Sequence, residues 1–209
     1  MNMAVTAAAP STAASAVNTV GSVFVVTEQG PNGIFRHATH TIVDEMERNS
    51  LLVHRTEYSP PHEELGGPCD GANGNLFDAR SFDWIGRLKD GELLAQKTPH
   101  TGMFAWSLQV GNVWRWKARW SDYAVRPDFS GPDWTDYEVK AYEEVKVPAG
   151  TFMACRVEIV RTQYESHTEM AWFAPEIRQV IKGTWSRTSK NGYGAASLLT
   201  WELVSVDFK

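Results

Sequence analysis

Beyond residue 20 the chain alternates apolar and polar side chains with a period of two, and clusters of Gly, Pro, Asn and Asp interrupt the alternation at short intervals. That is the pattern of antiparallel strands with one dry and one wet face rather than of amphipathic helices. It predicts strands over 23–28, 34–43, 51–58, 82–88, 93–97, 113–120, 137–147, 152–164, 168–173, 179–186 and 197–208. Asp90-Gly91, between two of them, is a hairpin signal, because a type I′ turn needs positive φ at both central positions. The one segment with a helical reading is 44–50, and it is short. Two stretches read as irregular: 59–80, rich in Gly and Pro, and 121–135, with Pro127, Gly131 and Pro132. The expected fold class is all-β, a curved antiparallel sheet closing into a half-barrel or barrel-like form with little helix. One β domain over 21–209 follows a tail or signal remnant over 1–20.

The densest aromatic stretch is Trp114-Arg115-Trp116-Lys117-Ala118-Arg119-Trp120. On a strand, Trp114, Trp116, Ala118 and Trp120 share one face, and Arg115, Lys117 and Arg119 share the other. Each indole can bury on the order of 150 to 250 Å², so the Trp face has to be covered by core, ligand or partner. A platform for single-stranded nucleic acid presents cations and aromatics together on one surface, and here the alternation separates them. The indoles therefore belong either to the packed interior of the sheet or to the wall of an apolar cavity within it.

Composition narrows this further. At 209 residues the chain is long enough to bury a substantial core, and 43% hydrophobic against 22% charged residues is a globular balance. The net charge of -5 gives no general attraction to nucleic acid or to an anionic membrane surface. The first 27 residues carry no charged side chain, and Pro10 and the polar Ser and Thr residues make this stretch unsuited to span a bilayer. It lacks the basic start of a secretory signal, yet Ala7-Ala8-Ala9 suits a cleavage site. A periplasmic or secreted location is expected. The two cysteines, Cys69 and Cys155, are either a disulfide closing a long loop or two separate thiols, with Cys155 in the core.

Candidate chemistry is sparse. His37 and His40 are three apart on a strand and face opposite sides, so they do not chelate one ion together. His54 lies on another strand, and His62, His100 and His167 lie in or beside loops. Asp70-Gly71-Ala72-Asn73-Gly74-Asn75 lacks the oxygen ligands of a calcium loop, and His62, Glu63, Glu64, Cys69 and Asp70 have no metal-ligand spacing. Nucleophile-elbow, phosphate-loop and zinc-protease patterns are absent from the sequence. No catalytic residue, no metal ligand and no cofactor is assigned.

The C-terminal half carries ordered blocks: Val145-Lys146-Val147-Pro148-Ala149-Gly150-Thr151-Phe152, then Ala171-Trp172-Phe173-Ala174-Pro175-Glu176, and finally Trp201-Glu202-Leu203-Val204-Ser205. With Phe104 to Trp114 before them, these blocks resemble a group of bacterial exported β-rich proteins that includes TapB-like proteins, over about 99–208. Phe173 stands where that group has Tyr, and Arg178 where it has Gly. The resemblance implies a curved sheet or half-barrel in the bacterial envelope and supplies no catalytic residues.

The functional expectation is a non-catalytic envelope or secreted β-protein that binds a hydrophobic or amphipathic, lipid-like small molecule. Trp114, Trp116, Trp120, Trp172 and Trp185 are the candidate ligand-binding residues. The alternative is a structural or interaction protein presenting an aromatic patch or sheet edge to an envelope protein. A third reading is a hydrolase acting from 59–80 through His62 and Asp70. Nucleic acid and a transmembrane span are not expected.

Overall fold

The computed structural model describes residues 20–30, 35–46, 51–59, 74–78, 84–99, 108–123, 129–161, 166–188 and 197–209. They form twelve strands: β1 (Val23–Gln29), β2 (Phe35–Met46), β3 (Leu51–Ser59), β4 (Gly74–Asp78), β5 (Trp84–Lys89), β6 (Glu92–Thr98), β7 (Val113–Asp122), β8 (Phe129–Val147), β9 (Gly150–Arg161), β10 (Ser166–Ala174), β11 (Gln179–Thr188) and β12 (Ser197–Asp207). Each strand pairs antiparallel with the next, and β12 returns to β1, so the sheet closes as a barrel. Closure removes the free edges that an open sheet would expose.

The alternation decides which face points inward. Directly paired residues share a face, and Tyr137, Val139, Val157, Ile159, Ala171 and Leu203 are all nearly or fully buried on one of the two. The opposite face of β7 to β12 carries Arg115 paired with Asp136, Lys140 with Glu138 and Glu158, and Lys182 with Glu202. A membrane-spanning barrel carries an apolar band on its outside; here the outer side of β7 to β12 carries these charged pairs and the inside holds the core. No helix among the described residues is long and apolar enough to cross a membrane.

At one end of the barrel the β8–β9 hairpin crosses toward β12. The β8–β9 hairpin runs past its neighbours: β7 pairs with β8 only as far as Glu138, and β10 with β9 only as far as Cys155. An extra residue between Val139 and Ala141 bulges the hairpin at its base, and such bulges bend the strand that carries them. The tip reaches β12, where Ala149 N–H donates to Leu203 O at 3.1 Å. Val145, Val147 and Ala154 pack there with Phe24, Ile42, Leu52, Ile181 and Leu203. The other end, where β1–β2, β3–β4, β5–β6, β7–β8, β9–β10 and β11–β12 are joined, is called the mouth below.

Several expectations are corrected. Residues 44–46, within the segment read as a helix, are the end of β2 and pair with Val53, Leu52 and Leu51; the ladder to β3 outweighs any local preference, and 47–50 lie outside the described residues. Within 59–80, read as irregular, Gly74–Asp78 forms β4. Within 121–135, β8 begins at Phe129 and pairs Ser130 with Ser121. Pro132 is tolerated because β9 joins β8 only from Thr135 onward, so the donor that proline lacks is missed on an unladdered side. Asp90 and Gly91 have φ of 51° and 85°, as the type I′ turn requires. Cys155 is a free, buried thiol in the core, and Cys69 lies outside the described residues.

Candidate functional site

The WRWKARW strand behaves as its alternation demands. Arg115, Lys117 and Arg119 are exposed, while Trp116 is 4% exposed on the inner face. Trp114 stacks on Tyr137, its cross-strand partner, with ring centroids 5.0 Å apart and planes 5° from parallel. Trp120 stacks on Trp84 of β5 at 5.9 Å, across the intervening β6. The Trp84 indole N–H donates to Asn75 Oδ1 at 2.8 Å, which fixes the ring against the wall.

The inner positions nearer the mouth combine aromatics with ionisable groups. One row of paired residues runs Trp114, Tyr137, Ile159, Glu169, Trp185 and Leu199 from β7 to β12. A second runs Val139, Val157, Ala171, Gly183, Trp201 and Glu28 from β8 to β1. Across the barrel, Lys97 stands opposite Trp120, and Arg87 opposite Ala95 and Asn75. Lys97 is buried, with its ammonium 5.2 Å over the Trp116 ring, a separation at which the ring's negative face attracts the cation.

Of the five tryptophans expected to line a cavity, Trp114, Trp116, Trp120 and Trp185 are on the inner face. Trp116 belongs to the packed core and Trp114, partly buried, packs against it; Trp120 and Trp185 stand nearer the mouth and are also partly exposed. Trp172 is on the other side. It pairs with Arg156 and Lys182, donates its indole N–H to Glu143 Oε1 at 2.8 Å and has the Lys182 ammonium 6.0 Å from its ring. Its neighbour Phe173 takes the inward position opposite Cys155.

Trp84 and Trp201 also face inward, and so do Glu28, Arg87, Lys97 and Glu169. The periodicity held a signal for some of these: Glu28 continues the stripe of Phe24 and Val26, and Lys97 follows Ala95 two residues on. An ionisable residue extending an apolar stripe marks a wall that has to accommodate charge.

His37 is exposed on the outer face, within 3.5 Å of Thr27 Oγ1, while His40 faces inward opposite Phe24. Burial lowers the His40 pKa to about 4, so its ring is neutral at physiological pH. Burial also pushes the Cys155 thiol up to about 11; its S–H lies 3.6 Å from Leu108 O. On the outside, the bidentate hydrogen bonds from Arg115 at 2.6 and 2.7 Å hold the Asp136 carboxyl below its usual range. Among the described residues, no three of His, Cys, Asp and Glu converge as a metal-binding group. His62, Glu63, Glu64 and Asp70, with the rest of 60–73, lie outside the described residues.

No family model matches the chain, and no curated protein matches it in sequence. Among solved structures the chain is similar to the hypothetical lipoprotein YmcC from Escherichia coli, with a TM-score of 0.47 and 9% identity over 88% of this chain and 83% of that one. It is also similar to an exported-protein candidate with a YmcC-like fold from Bacteroides fragilis, with a TM-score of 0.39 and 12% identity over 91% and 97% of the two chains. A lipoprotein candidate from Parabacteroides distasonis gives a TM-score of 0.39 and 13% identity over 90% and 96%.

Proposed function

We propose that this chain is a binding protein of the bacterial envelope or the secreted space, and that it takes a hydrophobic or amphipathic, lipid-like molecule into the mouth of its barrel. One observation carries the reading: Trp120, Trp185 and Trp201 face the inside of a closed barrel and still keep partial exposure. Indoles that solvent reaches from within a barrel offer apolar area to a guest without unpacking the core. Trp116 and Trp114 form the packed floor of that space, and Trp172, facing outward, is left out of the site. The envelope location is supported by the resemblance of the blocks over 99–208 to exported β-rich proteins.

Tryptophan emission tests this directly. Titration with long-chain fatty acids, lysophospholipids and neutral alkyl glycosides is expected to give a saturable change, lost or weakened in Trp120→Ala and Trp185→Ala. Trp116→Ala is expected to act on stability instead, costing about 3 to 5 kcal/mol as a large core truncation does. A flat response across the panel would remove the binding reading.

A further inference from the structure

Along the inner wall from β8 to β12, one row of direct strand partners shrinks step by step before it ends on an indole: Val139, Val157, Ala171, Gly183 and Trp201. The first four are buried, and Trp201 keeps partial exposure. The Trp201 side chain leans back over Gly183, and its atoms fix how. Where a Cβ on Gly183 would stand, Cζ2 of Trp201 is nearest, and its two bonded neighbours Cε2 and Cη2 are equally far and only slightly farther. A point outside the rim of a ring would be clearly farther from those two flanking atoms; a point above the face is not. The missing Cβ therefore lies over the face of the ring, and the indole is flat against the wall with its second face turned to the lumen. Two residues toward the mouth on the same strands, Trp185 and Leu199 are partly exposed, and two residues the other way Ile181 and Leu203 are fully buried. On this wall, among the described residues, Trp201 is the last ring that a guest meets before the closed core.

We propose that Gly183 is a positioning residue for the tail of the guest, a deepening that rests on the lumen-binding reading above. By leaving room for the Trp201 indole to lie flat, it widens the inner end of the lumen and presents a ring face to the end of the tail. The guest class is an amphipath whose tail ends in a group broader than one methylene chain, an alicyclic ring or a branched terminus. Such a group touches the indole across its breadth, whereas an extended chain covers only a strip of it, and dispersion grows with the number of atoms in contact. A methyl on Gly183 takes the place of the ring, and the wall behind is closed by buried side chains, so the indole has to tilt into the lumen. The recognition is apolar and uses none of the ionisable groups of the wall.

Two maltosides with the same head and the same number of tail carbons, dodecyl maltoside and cyclohexyl-hexyl maltoside, differ in the breadth of the tail end and provide the test. Affinity is measured by isothermal titration calorimetry below the micelle concentration, which keeps the signal independent of the tryptophan being changed, and folding is followed by the thermal transition of each variant. Wild type is expected to bind the cyclohexyl-hexyl compound at least as tightly as the dodecyl one. Gly183→Ala should weaken the cyclohexyl-hexyl compound by about tenfold, the scale of forcing one methyl into a packed wall, and the dodecyl compound by much less. In a Trp201→Leu background, Gly183→Ala should have no further effect on either, because Gly183 acts through the ring. Should Gly183→Ala not fold, Trp201→Phe and Trp201→Leu carry the test: Phe, whose ring can also lie over Gly183, keeps the cyclohexyl-hexyl affinity and Leu loses it. Loss in both or in neither would overturn the positioning role, as would equal weakening of the two maltosides by Gly183→Ala, or an undiminished effect of Gly183→Ala without the ring. Each of those results leaves lumen binding standing. No binding of either maltoside by wild type would overturn the lumen reading and this inference with it.

Discussion

The indole of Trp201 lies across the backbone of Gly183, its direct partner on β11, in the space where a Cβ would stand. Gly183 is buried between Trp201 and the buried Ala171 on the other side, so the constraint is close approach of a ring rather than backbone conformation. Gly183→Ala is expected to displace Trp201 and cost about 1 to 3 kcal/mol, the range for inserting an extra methyl into a packed wall. Urea denaturation gives the cost, and a shift of native tryptophan emission reports the ring. Unchanged stability and emission would mean that the ring does not press on that backbone.

Arg178 has a φ of 50°, the left-handed region that suits glycine. It ends the β10–β11 turn, where its amide donates to Pro175 O at 3.4 Å. Arg178→Gly is expected to raise stability by about 0.5 to 1 kcal/mol, relief of the left-handed strain being partly offset by the greater freedom of glycine in the unfolded chain. A lower melting temperature for the variant would show that contacts of the Arg178 side chain outweigh the strain.

His40 gives a pH signature. Its pKa falls from 6.5 to about 4 through burial, so above pH 6.5 the ring is neutral in both states and contributes no pH dependence. Between these values the unfolded chain binds a proton that the folded chain refuses, and stability falls as pH falls. The loss approaches about 3 kcal/mol at the lower limit, at about 1.4 kcal/mol per pKa unit. Asp136 acts in a separate window: its pKa is depressed below 3.8 by Arg115, so its contribution is present above that value and is lost only at lower pH. Denaturation midpoints from about pH 7 to pH 4 should slope in wild type and flatten in His40→Asn.

Cys155 is enclosed, with its thiol pKa pushed up to about 11 by burial. In a Cys69→Ala background, a thiol reagent at neutral pH is expected to react with Cys155 only at the rate at which the barrel opens. Labelling should be slow in buffer and immediate in denaturant. Fast labelling of the native protein would place a dynamic opening at the base of the β8–β9 hairpin.

Alternation in the sequence determined the strand class and the division of WRWKARW into a wet and a dry face, and the Asp90-Gly91 pair determined a turn. Each depends on the dihedrals and facing of a few adjacent residues, which is information the local sequence contains. Residues Gly74–Asp78 and the start of β8 carry turn-forming Gly, Asn, Asp and Pro, and they became strands because neighbouring strands offered them ladders. Tertiary pairing also decided which half of an alternating pair turns inward. Trp172 and Phe173 are adjacent and must diverge, and the register that sets Phe173 opposite Cys155 sends Trp172 out to Glu143. The placing of Arg87 across the lumen from Glu169 follows only from closure of all twelve strands, because residues so far apart in the chain acquire a spatial relation only when the ring is complete.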